Sequence, residues 1–117
     1  MSAAEHRELI RAASERLAID GYFAWPNRTG AAEIEGRFIP FGKKGSGDIL
    51  ACVNSRHMEF EGKTGKAVQS KGQKIHQRKV EENGGLYLVF HTVDELMDRL
   101  RTAGYPPRTH IPGNPPG

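Results

Sequence analysis

The 117-residue chain is expected to adopt an α/β fold, and three observations point to it. A helical period opens the chain, apolar strand-like runs occupy its middle, and two further helical patterns bracket the last strand-like run. Leu9, Ile10, Ala13, Leu17 and Ile19 recur with a period near 3.6, predicting an amphipathic helix over residues 4–20. Ser2 is its expected N-cap, Glu5 the capping-box partner three residues on, and Gly21 the stop. A short strand is expected at 22–25, ended by Pro26 and the loop Asn27-Arg28-Thr29-Gly30. Residues 35–41 read as a strand interrupted by Pro40, which lacks a ladder N–H and therefore belongs at a sheet edge. Residues 42–47 form a Gly/Lys-rich turn.

Residues 48–53 are almost continuously apolar after Asp48, the pattern of a strand buried on both faces. Residues 57–63 alternate instead, with Met58 and Phe60 pointing one way and His57, Glu59, Glu61 and Lys63 the other. A helix is expected over 70–83, stopping at Gly84-Gly85, followed by a buried strand at 86–91. Thr92 is expected to cap a last helix, Val93–Thr102, with Glu95 completing a capping box. Residues 104–117 hold five Pro and three Gly and are expected to be a flexible tail, leaving one domain over 1–103.

A single cysteine, Cys52, excludes a disulfide framework and a Cys-based zinc site. No apolar run approaches the roughly 18–20 residues that span a bilayer. Residues 1–11 lack a signal-peptide core, so a soluble intracellular protein with no membrane partner is expected. The net charge of +3 is unevenly spread: residues 43–80 hold nine Lys/Arg against Asp48, Glu59 and Glu61, a local +6. Such a block suits a polyanion, because each phosphate neutralised releases counterions. A solvated lysine-rich surface is the alternative reading.

The segment from 48 to 63 carries the chemistry. If Asn54-Ser55 is a two-residue turn, Val53 faces Arg56, and counting outward brings Asp48 opposite Glu61. Two facing carboxylates repel, and an oxygen-only pair at the mouth of an apolar hairpin suits a hard divalent cation such as Mg²⁺ or Mn²⁺. Lys63 leaves the same sheet face as Glu61 and brings an ammonium to a phosphodiester bound there. The competing reading is a turn residue, Asp48, and a surface ion pair, Glu61–Lys63. Lys71, Lys74 and Arg78 form a basic stripe on the second helix, and Lys43 and Lys44 precede Asp48. Residues 42–47 lack P-loop spacing, and no histidine pair has zincin spacing.

The order Gly45-Ser46-Gly47-Asp48, Glu61-Gly62-Lys63, Gln73 and Gly84-Gly85-Leu86-Tyr87-Leu88-Val89 resembles the VRR-NUC family of PD-(D/E)xK nucleases. The run from Lys63 through Lys66 to Gln73 and the upstream Gly21, Trp25 and Asn27 to Gly30 are also similar to it. The likeness spans about residues 5–98. It implies a restriction-endonuclease-like core: helix, three antiparallel strands, helix, strand, then a C-terminal helix. It implies a Mg²⁺- or Mn²⁺-dependent endonuclease acting on DNA phosphodiesters, with branched or four-way-junction substrates and a cytoplasmic, phage-type homodimer. Asp48 and Glu61 are then metal ligands, the Gly62 carbonyl a third, and Lys63 the catalytic lysine. Glu5 is the best match to the family's first-helix acid, with Glu8 its competitor. Gln73 has two compatible readings, a helix cap with Ser70 and an active-site group. Lys43, Lys44, Lys66, Lys71, Lys74 and Arg78 are expected on the DNA backbone.

Gly62 departs from the family pattern, which has a packed apolar residue there, and looser geometry is expected from it. His91 is expected as a satisfied strand-end histidine, and Tyr22 and Trp25 as core aromatics. A non-catalytic nucleic-acid-binding module with the same fold is the rival reading. A structural α/β protein with scattered charges is the second.

Overall fold

A computed structural model describes residues 3–28 and 30–108, excluding the side chains of residues 30, 31, 40 and 41. The order is α1 (Ala3–Ile19), β1 (Ala24–Pro26), β2 (Gly30–Ile34), β3 (Arg37–Phe41), β4 (Ile49–Val53), β5 (Arg56–Gly62), α2 (Lys71–Glu82), β6 (Leu86–Phe90) and α3 (Val93–Thr102). The protein is mixed α/β, with a four-stranded sheet in the order β1-β4-β5-β6. β1, β4 and β5 are antiparallel and β6 runs parallel to β5. The crossover from β5 to β6 is α2, as parallel neighbours require.

Alternation along β5 divides the molecule into layers. Met58 and Phe60 enter a core with Ala13 and Leu17 of α1 and Leu96, Met97 and Leu100 of α3. Glu59 and Glu61 leave the opposite face, toward α2, and both are buried. One strand thus carries an apolar row under α1 and α3 and an acidic row under α2.

Register decides which residues meet. Asn54 and Ser55 both have positive φ, 51° and 67°, the form that matches the twist of a tight hairpin. Val53 pairs with Arg56, Ala51 with Met58 and Ile49 with Phe60. This is the register expected from the sequence; Asp48 directly precedes β4, and its carboxylate accepts from the Gly62 N–H at the end of β5.

Several elements differ from expectation. Residues 35–41 are not one strand: Glu35-Gly36, with φ of 51° and 75°, is the turn of the β2–β3 hairpin, which forms its own two-stranded sheet. That hairpin leaves Ile34, Phe38 and Ile39 exposed. β1 begins at Ala24 and includes Pro26. β4 is not buried on both faces: Cys52 is exposed and Leu50 only partly buried. Trp25 is 41% exposed and packs on Phe23, so it is not a core residue, whereas Tyr22 is.

The Ser70–Gln73 capping box forms as expected. The Thr92 box does not close: Thr92 Oγ1 accepts from the Glu95 N–H, but the Glu95 carboxylate takes the N–H of His91 instead. Ser2 and residues 109–117 lie outside the described residues. Residues 105–108, expected in the tail, pack on the body: Tyr22 donates to the Tyr105 carbonyl at 2.6 Å and the Arg108 N–H donates to the Asp20 carbonyl at 2.7 Å.

Gly62 is not a loose point. A Cβ there would meet Ile10 Cδ1 at 2.7 Å, Leu9 Cδ2 at 3.2 Å and Phe90 Cζ at 3.3 Å. The absent side chain is what lets α1 lie close to β5. Gly62→Val therefore overpacks this contact and is expected to cost about 1–3 kcal/mol. Thermal denaturation reads this as a Tm drop of roughly 4–8 °C per kcal/mol; an unchanged Tm would show that α1 is not seated there.

Candidate active site

Three elements converge at the C-terminal end of β5. The loop before β4 delivers Asp48, β5 delivers Glu61 and, directly after its last residue, Lys63, and the first turn of α2 delivers Gln73. The Asp48 loop is held from two sides. Asn27 donates to Ser46 Oγ at 2.8 Å and to the Gly47 carbonyl at 2.9 Å, while the Gly47 N–H donates to Glu59 Oε1 at 2.8 Å. Gly47 lies so close to β5 that a Cβ would stand 3.0 Å from the backbone of Phe60.

Asp48 Oδ2 accepts from the Gly62 N–H at 2.8 Å and lies 3.3 Å from Nε2 of His6. Its carboxyl titrates above the ordinary aspartate range. Burial is the main cause, the Gly62 N–H and His6 oppose it, and the charge of Glu61 adds to it. The two carboxylates are therefore within electrostatic reach of each other.

Glu61 is 1% exposed. Its Oε1 accepts from the Tyr87 hydroxyl and from Gln69 at 3.4 Å. Lys63 Nζ lies 3.1 Å from Oε2 as an ion pair, but out of hydrogen-bonding alignment, so Oε2 is buried without a hydrogen-bond donor. Lys63 Nζ donates instead to Gln73 Oε1 at 2.9 Å. The same oxygen accepts from the Ser70 N–H at 2.8 Å, so Gln73 both caps α2 and fixes the ammonium. Burial and the Glu61 hydrogen bond raise the Tyr87 phenol far above its usual range, so it stays a donor.

Glu59, two residues before Glu61, supports the loop rather than the site. Burial raises its pKa, but bonds from His57, the Gly47 N–H and His76 outweigh it and leave the group below the glutamate norm.

The two candidate acids of α1 lie on its exposed surface. Glu5 is exposed rather than inward, and Glu8 is exposed and held by Arg11 at 2.6 Å. The α1 side chain at Asp48 is His6, which the sequence reading missed. Its signal was available, because His6 stands four residues before Ile10 and seven before Ala13, on the buried stripe. Tyr87 and Gln69 were also missed; a tyrosine inside an apolar strand asks where its hydroxyl goes. His91 is exposed and paired with Glu95 at 3.0 Å, a satisfied strand-end residue.

Lys43, Lys44, Lys66, Lys71, Lys74 and Arg78 are all exposed, and among the described residues none is in an ion pair. These six side chains therefore leave positive charge exposed, three of them on α2 itself.

The donor set suits a hard divalent ion: the Asp48 and Glu61 carboxylates, with the Gly62 carbonyl adjacent and Glu61 Oε2 buried without a donor. Among the described residues no group of three or more His, Cys, Asp or Glu forms a metal cluster, so carbonyl and water oxygens would have to complete the shell. The chain matches no protein-family model, and comparison with curated proteins also gives no match.

The raised pKa of Asp48 gives a signed stability prediction. Its folded value lies above the unfolded one, so ionised Asp48 destabilises the fold. The penalty is absent below the ordinary carboxylate range of about 4 and complete above the folded pKa. In chelator, Asp48→Asn is expected to raise Tm at pH 7, with the gain shrinking as pH falls toward about 4. Loss of stability at pH 7 would contradict the burial assigned to this carboxylate.

Proposed function

We propose that the chain is a divalent-metal-dependent nuclease of the PD-(D/E)xK type, built on a restriction-endonuclease-like core and hydrolysing DNA phosphodiesters. One observation carries the reading: a buried carboxylate, Glu61, is ion-paired with the Lys63 ammonium and within electrostatic reach of a second, partly buried carboxylate, Asp48. Charges so arranged cost folding free energy, and a functional site is the common reason to retain them. The motif order that resembles VRR-NUC nucleases, and the unpaired basic side chains around α2, support the same reading.

Asp48, Glu61 and the Gly62 carbonyl would hold Mg²⁺ or Mn²⁺, which when bound polarises a phosphodiester and acidifies water. Asp48 is oriented by the Gly62 N–H, so its position depends on the β4–β5 register. Lys63, aligned by Gln73, stabilises the negative charge that develops on the phosphorus oxygens and orients the attacking water. Tyr87 holds Glu61 from the opposite side. The basic residues at Lys43, Lys44, Lys66, Lys71, Lys74 and Arg78 track the DNA backbone. Branched DNA and a homodimer belong to the proposal as well, since cutting two strands requires two sites.

A second reading has its own observation. Tyr87, Gln69 and Lys63 already surround Glu61, as in a closed polar network, which favours a DNA-binding module that does not cut. Incubation with linear, flapped and four-way-junction DNA in Mg²⁺, Mn²⁺ or chelator separates the two. Wild type is expected to cut only with metal. Asp48→Ala and Lys63→Ala should reduce cleavage at least about 100-fold while retaining salt-sensitive binding. Binding without cleavage under every condition supports the second reading, and variants that cut like wild type overturn the assigned site.

A further inference from the structure

A cavity of about 420 Å³ opens beside Asp48, between α1 and the chain leaving β1. It is of a size that takes a small organic ligand. Its walls are chemically divided. Ile10 from α1 and Pro26 from β1 give apolar surface, whereas Arg7 and Arg28 bring guanidinium groups. Neither Arg7 nor Arg28 is in an ion pair among the described residues. Arg11, the third arginine of the lining, is spent on Glu8 and Glu15 at 2.6 Å each and contributes no free charge.

Four polar residues complete the lining: His6 and Asp48, 3.3 Å apart, with Ser14 and Asn27. Ser14 lies on the wall, with its Oγ buried and without a hydrogen-bond partner. Asn27 uses its amide nitrogen on Ser46 and Gly47, so its free function is the oxygen, an acceptor. Unpaired guanidiniums suit a phosphate, apolar walls suit the face of a base, and the amide acceptor suits its edge. Asp48 is shared between this cavity and the proposed metal site.

We propose that this cavity holds one unstacked nucleotide of the DNA strand, adjoining the phosphate at Asp48. The inference rests on the nuclease reading for the identity of the strand, but the pocket is testable without cleavage. A nucleotide enters only when it is unpaired, so the strand is held at a nucleotide outside the duplex.

The test is calorimetric titration of the full chain with deoxyadenosine monophosphate in EDTA, with inorganic phosphate and deoxyadenosine as separate probes. The nucleotide is expected to saturate one site and to bind at least tenfold more tightly than either fragment. Arg7→Ala and Arg28→Ala, both at exposed positions, should each weaken it at least tenfold, with circular dichroism verifying the fold. Absence of saturable binding, binding that survives both replacements, or inorganic phosphate binding equally well would overturn the pocket. Because metal is excluded, these failures leave metal-dependent cleavage untouched. Nucleotide binding in a chain that cuts no DNA supports the pocket and counts against the nuclease reading alone.

Discussion

The arrangement depends on the pairing of β4 with β5. A two-residue turn at Asn54-Ser55 sets it, and side chains alternate strictly on both strands. A slip of one residue would send Met58 and Phe60 to the α2 side and Glu59 and Glu61 into the apolar core. The apolar row against α1 and α3 therefore also fixes where the acidic row emerges. The position of the candidate site is thus a consequence of core packing.

Carboxylates on a buried sheet face must be matched, and the chain does so in two ways. Glu59 is compensated by three donors, His57, His76 and the Gly47 N–H, so it serves as an anchor for the loop that carries Asp48. Asp48 and Glu61 are less well matched. Burial and mutual repulsion leave Asp48 with a raised pKa, and Glu61 keeps an oxygen without a donor. Two acidic positions two residues apart on β5 are thus held differently: three donors bond Glu59, whereas Glu61 has hydrogen bonds from Tyr87 and Gln69 and an ion pair with Lys63.

The sequence was legible where a short-range rule fixed a long-range contact. The hairpin length and the alternation of β5 gave the register, and Ser70-x-x-Gln73 gave the cap that also aligns Lys63. It was less legible where the decisive partner came from another element. His6 is illegible from apolar periodicity alone, because a histidine on a buried stripe declares its role only once its partner, Asp48 from another element, is placed. The Glu35-Gly36 turn was overlooked because the flanking strands are short and carry no buried face. Gly62 looked like lost packing; instead its missing Cβ makes room for α1, a relation that requires the helix position to be known.

Whether Asp48 and Glu61 share a cation is the point on which the functional reading turns. Crystals grown with Mn²⁺ and measured at the manganese edge test it directly. The expected result is an anomalous peak about 2.0–2.3 Å from carboxylate oxygens of both residues, with the Gly62 carbonyl in the same shell. Manganese bound only elsewhere, with Glu61 still enclosed by Tyr87 and Lys63, would contradict it.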